Sequence, residues 1–317
     1  MTGPLTSAGY NLLLGASKLV GARTWPCFWR MWSSFDALAG RSDVTTRIHG
    51  HRVAVPVGYT YPLWSRRFVN YNAPLVEIAP EAFVTLGRPV RVVDVGAAVG
   101  DTALLLLSNL EDGALESVTC VEPDPRFAGL VIQNLAHEPR ARVVRAMLSD
   151  GASTARNLVR THPGTASAQG PGFTEARPLD EVVPAAVDVL KVDVDGMDGA
   201  VLAGASCLLG EHHPFVVFEW HPALYEVTGN DWRRPFAVLS HAGYGPLVWF
   251  DKFGVSVGLG GVDDARTMEA RAAECLDRRR DEDWHYDVVA VPPGPSAHDQ
   301  AARVAQLRFA SGRPSRY

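Results

Sequence analysis

The sequence of 317 residues predicts an α/β fold: a mostly parallel sheet with helices on both faces and an antiparallel strand near its C-terminal end. From residue 89 onward, apolar runs of strand length alternate with segments of helical periodicity, which is typical of successive βα units. The strand-length runs are almost continuously apolar, as expected for strands buried on both faces of a parallel sheet.

The predicted elements follow one another in a regular order. The predicted strands are residues 90–95, 117–121, 142–146, 187–192, 215–218 and 247–250, with a late strand at 286–291. The predicted helices are residues 102–110, 126–136, 199–209 and 232–242. A loop rich in Gly, Ser and Pro is predicted for residues 151–178. A turn near residues 252–254 leads into the antiparallel end of the sheet.

The start of the chain differs from this periodic region and is predicted to contain a helix and a hairpin. Five aromatic residues recur there at helical spacing: Trp25, Phe28, Trp29, Trp32 and Phe35. Their face is predicted to pack against the main domain or, alternatively, to form a lid or a wall for an acceptor. Residues 47–55 predict a hairpin that turns at Gly50, with His49 and His51 beside the turn as surface residues.

We therefore expect three parts in the chain. They are an N-terminal extension at residues 1–72, a main domain at 73–295 and a C-terminal tail at 296–317. The tail has little periodicity, apart from a short segment at residues 301–309 that is predicted to form a helix.

Composition and charge disfavour several classes of function. The formal net charge of −5 disfavours a sequence-independent nucleic-acid-binding protein, because such a protein needs a basic surface. The four cysteines form no C-x-x-C pair, which disfavours a zinc site and a disulfide framework and fits the reducing cytoplasm. No apolar stretch is long enough to span a bilayer, so no membrane contact is expected. A homo-oligomer is left open.

A strand-to-helix turn with two glycines is the strongest functional signal. The pattern Asp94-x-Gly96-x-x-x-Gly100 directly follows the first strand of the periodic region. Glycines at such a turn let a ligand approach the backbone, and the N–H groups of the next helix can bind an anionic group. Asp94 suits a positively charged part of a ligand, whereas Asp101 and Thr102 can cap the helix.

A second acid, Glu122, is predicted to end the next strand. In nucleotide-binding α/β folds an acid at this position accepts hydrogen bonds from ribose hydroxyls, and the alternative is a solvated loop acid. Asp124 either caps the following helix or lies near the base. Met147 or Leu148 is expected against the face of the base, with Asp150 as an acceptor for its amino group.

These motifs resemble the FkbM family of methyltransferases. The family pattern is D-x-G-A-N-x-G-D-T, F-E-P-x-P, L-D, L-K-I-D-x-E-G-x-E and L-x-G-A. The similar segments here are residues 94–102, 121–125, 179–180, 190–198 and 202–205. The resemblance covers residues 74–222 and, more weakly, 250–254 and the last strand. Ala98 replaces the usual Asn, and Asp195 and Asp198 replace two glutamates.

The resemblance implies a Rossmann-like class I methyltransferase fold with S-adenosylmethionine as the cofactor. It also implies O-methylation of a small-molecule hydroxyl, commonly on a sugar or in natural product biosynthesis. The residues then expected to contact the cofactor are Asp94, Gly96, Ala97, Gly100, Asp101, Thr102, Glu122, Pro123, Met147, Leu148, Asp150 and Asp193.

A base near the acceptor hydroxyl would make that hydroxyl a better nucleophile. We expect His221 to be the base and Asp193 to position the acceptor or the sulfonium, because the carboxyl ends of parallel strands meet at one edge. A Mg²⁺ site is a weaker alternative, with the candidate ligands Asp193, Asp195, Glu219 and His221. Against it, Asp195 suits the N-cap of the following helix. Lys191 interrupts an apolar strand and is expected to have an acidic partner.

Two other functions share parts of this pattern. An NAD(P)-dependent Rossmann oxidoreductase would have the same fold and the ribose-binding acid, but its turn is Gly-x-Gly-x-x-Gly instead of Gly-x-x-x-Gly. A non-catalytic cofactor-binding scaffold protein is the second alternative, which the replaced Asn and the two shortened acids leave open. A nucleotide-binding titration separates the oxidoreductase from a methyltransferase. Turnover of S-adenosylmethionine with a panel of acceptors separates the scaffold protein from a methyltransferase.

Overall fold

The structure of the chain is a computed structural model that describes residues 3–21, 23–39, 42–68, 70–151, 156–162, 165–171, 175–183, 186–278 and 284–306. Its strands, in chain order, are β1 (Asp43–Ile48), β2 (His51–Pro56), β3 (Val90–Val95), β4 (Leu115–Val121), β5 (Ala141–Val144), β6 (Met147–Leu148), β7 (Arg156–His162), β8 (Thr165–Pro171), β9 (Ala176–Arg177), β10 (Val189–Val192), β11 (Phe215–Trp220), β12 (Pro246–Asp251), β13 (Ser256–Gly261) and β14 (Tyr286–Ala290).

Its helices are α1 (Pro4–Ser17), α2 (Trp25–Ala39), α3 (Tyr61–Arg67), α4 (Ala73–Leu86), α5 (Asp101–Asn109), α6 (Pro125–Asn134), α7 (Leu179–Val182), α8 (Asp198–Ala203), α9 (Ser206–His212), α10 (Pro222–Thr228), α11 (Arg234–His241), α12 (Ala265–Arg278) and α13 (Ala297–Gln306).

Eight strands form the central sheet, in the order β13-β12-β14-β11-β10-β3-β4-β5. The five strands from β5 to β11 are parallel. Strand β14 is antiparallel to both of its neighbours, β11 and β12, and β13 is antiparallel to β12. The predicted α/β fold, a mostly parallel sheet with an antiparallel C-terminal strand, is therefore confirmed.

The strand order reverses between β3 and β10. From β3 the chain proceeds outward to β4 and β5, and it then returns to place β10 on the other side of β3. In open α/β sheets the ligand crevice lies outside the carboxyl ends of the strands at such a switch point. The carboxyl ends of β3 and β10 therefore mark where a site is expected.

The structure confirms most of the predicted elements and corrects two. Strand β3 has the predicted bounds, and α5 and α6 each begin one residue before the predicted start. The single helix predicted for residues 199–209 is two helices, α8 and α9, separated at Gly204 and Ala205. The predicted loop at residues 151–178 contains the antiparallel hairpin of β7 and β8. The predicted helix of the tail is α13, and residues 307–309 lie outside the described residues.

Alternating strand residues build two cores, one on each face of the sheet. Val92, Val189 and Val217 belong to a core that also contains Ile78 of α4. Val93, Leu190 and Val216 belong to the opposite core. The first core continues without a break into the N-terminal extension, where its members include Tyr10, Trp32 and Leu63.

The aromatic face of α2 packs within the extension itself. The Tyr10 ring of α1 lies 5.2 Å from the Trp32 ring, and the Trp64 ring of α3 lies 5.6 Å from the Trp25 ring. The predicted hairpin is β1 and β2, which turn at His49 and Gly50 with positive φ at both residues. Among the described helices, none combines the length and the apolar character needed to cross a membrane.

The junction of α8 and α9 lets us test the role of a close backbone approach. A Cβ on Gly204 would lie 2.0 Å from the carbonyl oxygen of Ser149. Gly204→Ala therefore forces the two segments apart and should lower the free energy of unfolding by roughly 2–4 kcal/mol, measured by urea denaturation.

Gly210, in the exposed part of α9, is the matched control. A Cβ at this position meets no atom within 4 Å. Gly210→Ala should stabilise the protein by up to about 1 kcal/mol, because alanine is the better helix former. Equal effects of the two substitutions would contradict the packing argument.

Candidate active site

The ends of β3 and β10 touch at Gly96. The φ angle of Gly96 is +81°, and a Cβ on it would lie 1.9 Å from the carbonyl oxygen of Asp193. The Asp193 N–H donates to the carbonyl of Val95 at 3.1 Å. Gly96 is therefore needed for a contact between two strand ends, whereas the sequence suggested an approach by a ligand.

The N–H groups of the glycine turn are bonded within the protein. Those of Gly96 and Ala97 donate to the carbonyl of Val121 at 3.0 and 3.2 Å, and that of Gly100 donates to the carbonyl of Ala97 at 2.7 Å. The N-cap of α5 is Gly100 and no side chain caps the helix, so the expected capping roles of Asp101 and Thr102 are wrong. Asp101 Oδ1 instead accepts from the adjacent Thr102 N–H at 2.8 Å. The N–H groups of Gly96, Ala97 and Gly100 are thus engaged within the protein, whereas binding of an anionic group by the N–H groups of the following helix stays a prediction.

Ala98 has the left-handed φ of +46° in this turn. Asn tolerates this conformation better than Ala, so the usual Asn of the family pattern has a backbone reason. The Ala98 N–H donates to Glu122 Oε2 at 2.9 Å. The turn keeps its shape through this bond, although the side chain at residue 98 makes the conformation costly.

Lys191 joins β3 and β10 electrostatically. Its Nζ lies 3.0 Å from Asp94 Oδ1 and 3.4 Å from Asp193 Oδ2, and it donates to the Gly96 carbonyl at 3.2 Å. Burial alone would lower the pKa of Lys191, but the charges of Asp94 and Asp193 raise it above its ordinary value. The expected acidic partner of Lys191 is confirmed. Asp94 is fully buried. Its cationic partner in the structure is therefore Lys191, whereas the sequence suggested a cationic group of a ligand.

Glu122 lies at the end of β4, beside the glycine turn. Its Oε1 accepts from the Asp124 N–H at 2.9 Å, and its Oε2 accepts from Ala98. Burial raises the pKa of Glu122 to about 7, although these backbone bonds oppose the shift. Asp124 caps α6 by accepting from the Arg126 and Phe127 N–H groups, and Pro123 lies half-buried between the two acids.

The segment expected to flank a base is largely engaged with protein. Met147 packs with Met197, and Leu148 belongs to the core on the opposite face from α4. Asp150 Oδ2 forms an ion pair with Arg234 Nη2 at 2.6 Å. The expected contact of Asp150 with an amino group therefore competes with this ion pair and stays a prediction.

An acidic cavity of about 30 Å³ lies at the same edge, between the sheet and the start of α4. Asp193 of the β10 end, Glu219 of β11 and Asp287 of β14 line it, together with Asn72 and Leu75. Glu219 and Asp287 are directly paired across β11 and β14, so their side chains share one face of the sheet. The sequence analysis missed Asp287, since nothing local distinguishes one acid in the last strand.

The surroundings of this cavity favour protonated acids. Burial raises the pKa of Asp287 to about 7, the charge of Asp193 adds to the rise, and Lys191 opposes it. Burial and the charges of Asp193, Asp287 and Glu219 raise the pKa of Tyr71 well above its ordinary value.

His221 lies beside this cavity but is not among the described residues that line it. It is buried at the start of α10, and its ring stacks on the ring of His285 at 5.6 Å. His285 Nε2 lies 3.5 Å from Glu219 Oε2. His221 thus contacts His285, which in turn lies close to Glu219.

The loop between β10 and α8 is organised by Asp198. Its carboxylate accepts from the N–H groups of Val194 and Gly196 at 3.3 and 3.2 Å. The N-cap of α8 is Met197, so the expected N-cap role of Asp195 is wrong. Within the described part of the chain, no three His, Cys, Asp or Glu side chains are grouped so that they could hold a metal ion.

The N-terminal extension reaches this edge through tyrosines. Tyr59 Oη donates a very short hydrogen bond to Asp101 Oδ2, and burial raises the pKa of Asp101 to about 6. Farther along, the Phe68 ring lies 4.1 Å from the Phe253 ring of the β12–β13 turn. The sequence analysis missed Tyr59 and Tyr71, whose positions depend on how the extension packs.

The comparisons with known proteins concern the central part of the chain. Residues 94–245 match the family described as the methyltransferase FkbM domain. The resemblance predicted from the motifs is therefore confirmed for this segment, which makes up somewhat less than half of the chain. No curated protein sequence matches the chain.

Solved structures with a similar fold include three methyltransferase or RNA-processing proteins. An FkbM methyltransferase from Methylobacillus flagellatus is 16% identical, with a TM-score of 0.41, over 64% of this chain and 43% of that one. The fibrillarin pre-rRNA processing protein of Methanococcus jannaschii is 11% identical (TM-score 0.38; 65% and 68% covered). Precorrin-6y C5,15-methyltransferase from Geobacter metallireducens is 13% identical (TM-score 0.35; 67% and 87% covered). The chain thus spans less than half the length of the Methylobacillus protein.

The ion pair between β3 and β10 can be tested with a double-mutant cycle. Lys191→Met leaves the buried Asp94 carboxylate without its cation and should lower the free energy of unfolding by about 3–5 kcal/mol. The double variant Asp94→Asn/Lys191→Met buries neither charge, so it should lose less than the sum of the two single variants, by about 1–3 kcal/mol. Urea denaturation of all four proteins measures this coupling. Strict additivity would contradict the ion pair.

The raised pKa of Asp287 predicts a pH-dependent stability. Below about pH 4 the Asp287 carboxyl is protonated in both the folded and the unfolded chain, so its burial is tolerated. As the pH rises towards the folded value of about 7, the unfolded chain releases the proton more readily and the folded state loses stability.

Asp287→Asn removes this effect. The free energy of unfolding of the variant should therefore rise relative to that of the natural protein, by roughly 1–3 kcal/mol between pH 4 and pH 8. Thermal and urea denaturation across this range measure it. Asp112→Asn, at an exposed position, is the control and should show no such trend. A constant difference between Asp287→Asn and the natural protein would refute the buried acid.

Proposed function

We propose that the protein is an S-adenosylmethionine-dependent O-methyltransferase that methylates a hydroxyl group of a small molecule, on a sugar or a natural-product scaffold. The observation that supports this most is an FkbM methyltransferase domain with its acids gathered at the carboxyl ends of β3, β4 and β10. In this fold class those ends form the ligand crevice.

The chemistry of Glu122 fits a ribose. Each of its carboxylate oxygens accepts one backbone N–H, which leaves further acceptor capacity on both oxygens for hydroxyl groups. Its burial makes hydrogen bonds from a ligand stronger than they would be in water. Glu122 would hold the ribose hydroxyls of the cofactor.

The charges around Lys191 fit a cationic ligand group. Asp94, Lys191 and Asp193 together have a net charge of −1, and Asp193 is the acid of the three that solvent reaches. Asp193 would therefore face the amino group or the sulfonium of the methionine part. Lys191 and Asp94 would hold Asp193 and Gly96 in place.

The size of the cavity adds a requirement. A pocket for a ligand of drug size has a volume of about 300–1,000 Å³, whereas the cavity at this edge measures about 30 Å³. Binding therefore requires that side chains above the strand ends move. Tyr59 and Tyr71 of the extension and the segment around Asn72 cover this edge and would have to open it.

When bound, S-adenosylmethionine supplies a methyl group activated by the adjacent sulfonium. The protein then has to align the acceptor hydroxyl with that methyl group, and such alignment supplies roughly 7–11 kcal/mol. Asp193 and Glu219 would orient the acceptor from the two sides of the acidic cavity.

Asp287 would accept the hydroxyl proton. A carboxylate with a pKa of about 7 is a stronger base than an ordinary one and is still substantially ionised at neutral pH. We prefer Asp287 to the expected His221, because Asp287 lines the cavity and His221 is not among the described residues that line it. General-base catalysis of this kind contributes about 10²–10⁴-fold.

Binding of S-adenosylmethionine, measured by titration calorimetry, tests the proposal first. Glu122→Gln removes one of two acceptor oxygens and should weaken binding at least about tenfold. Glu116→Gln is the matched control on the same strand, since Glu116 is exposed and pairs with Arg91 away from the strand end, and it should leave binding unchanged.

Turnover separates the alternatives. Release of S-adenosylhomocysteine with a panel of sugars and hydroxylated natural products is the expected result. Binding of NADPH in place of S-adenosylmethionine would support the oxidoreductase instead. Tight cofactor binding without methylation of any acceptor would support the scaffold protein.

A further inference from the structure

The N-terminal helices present a row of apolar side chains to solvent. On α1 and the turn after it, Leu5, Leu12 and Leu19 are 87%, 76% and 90% exposed. They follow one another at intervals of seven residues, so they lie along one face of the helix. Backbone bonds from Leu19 to Ala16 continue the helical path beyond the end of α1, which keeps this row aligned.

A similar row lies on α2. Met31 and Leu38 are seven residues apart and exposed, Leu38 by 88%, and Trp29 is also partly exposed on this helix. Phe28 and Trp32 of α2 belong to the core, and Met31 and Leu38 lie along one flank of this buried face. Single exposed apolar residues are normal on a protein surface, but aligned rows on two neighbouring helices indicate a contact surface.

The charges of the same segment are mostly of one sign. The first 35 residues contain three basic side chains, Lys18, Arg23 and Arg30, and no acidic one, although the whole chain has a net charge of −5. All three basic residues are exposed. The first acid in the chain is Asp36. Because Asp36 lies on α2, the segment formed by α1, α2 and their connection has three basic side chains and one acidic one, which is a net charge of +2.

We propose that α1 and α2 dock this protein onto the surface of an anionic lipid bilayer. Leucine and methionine side chains would enter the boundary between headgroups and acyl chains, while Lys18, Arg23 and Arg30 contact the anionic headgroups. The sequence suggested no membrane contact because no segment spans a bilayer, but a helix that lies in the interface requires only one apolar face. This inference does not depend on the reaction that the domain catalyses.

A second copy of the chain is the other occupant to consider for this face. In a two-fold symmetric dimer the same surface of both subunits meets, so the three cations of one copy would lie against those of the other. Asp36 is the one acid that the sequence of α1, α2 and their connection contains, so each copy would still bring a net charge of +2 to the contact. Anionic lipid balances the charge that a second copy would double, and the bilayer is therefore the occupant that the observations favour.

Vesicle sedimentation with the full chain tests the proposal. The natural protein should sediment with vesicles of equal parts phosphatidylcholine and phosphatidylglycerol, and far less with phosphatidylcholine alone. Higher salt should weaken binding, since it screens the attraction. Leu12→Gln/Leu19→Gln should lower the partition coefficient about tenfold or more because two apolar contacts are lost. Lys18→Gln/Arg30→Gln should lower it to a similar extent on the anionic vesicles alone.

Val84→Gln/Ile132→Gln is the matched control, because it removes two equally apolar and exposed side chains from α4 and α6. It should leave binding unchanged, and thermal denaturation should show that every variant is folded. Failure of the natural protein to bind the anionic vesicles would overturn the proposal, as would equal losses in the control. Sedimentation equilibrium adds one further outcome: self-association that Leu12→Gln/Leu19→Gln abolishes, without vesicle binding, would assign the face to a second copy.

Discussion

The contact between the ends of β3 and β10 is the constraint on which the rest of the site depends. Gly96 allows the Asp193 carbonyl to approach its Cα closely, and Lys191 holds Asp94 and Asp193 across the same two strands. Because the strand order reverses between these strands, this contact determines where the crevice lies. A side chain at residue 96 would push the two strand ends apart, and a neutral residue at position 191 would leave Asp94 and Asp193 without their cation.

The alternation of side chains along the strands explains why the polar groups gather on one face. Lys191, Asp193, Glu219 and Asp287 occupy positions of the same parity in neighbouring strands, so they all point towards the start of α4. Lys191 is buried there, whereas 43% of the Asp193 side chain stays exposed. Burial raises the pKa of Asp287, and that of Glu122 at the end of β4, into the neutral range. The fold thus turns ordinary carboxyl groups into groups that can exchange protons near neutral pH.

The N-terminal extension has an inner side, which faces the sheet, and an outer side, which faces solvent. Its inner side shares a core with the sheet and hydrogen-bonds Asp101 through Tyr59, so it covers the edge where the cofactor is proposed to bind. Its outer side exposes the apolar rows of α1 and α2 together with basic residues.

The sequence by itself determined the features that depend on neighbouring residues. Strand β3, the glycine turn and the position of Glu122 could be predicted because apolar periodicity and glycine spacing are local signals. Tertiary structure alone decided that the buried Asp94 forms an ion pair with Lys191. It also decided that Asp287 and Asp193 line the same cavity and that Tyr59 donates a hydrogen bond to Asp101. These contacts join residues far apart in the chain, and they depend on the strand order and on how the extension packs. No local pattern specifies which distant strands become neighbours, and for this reason the acids that line the cavity could not be fully identified from the sequence.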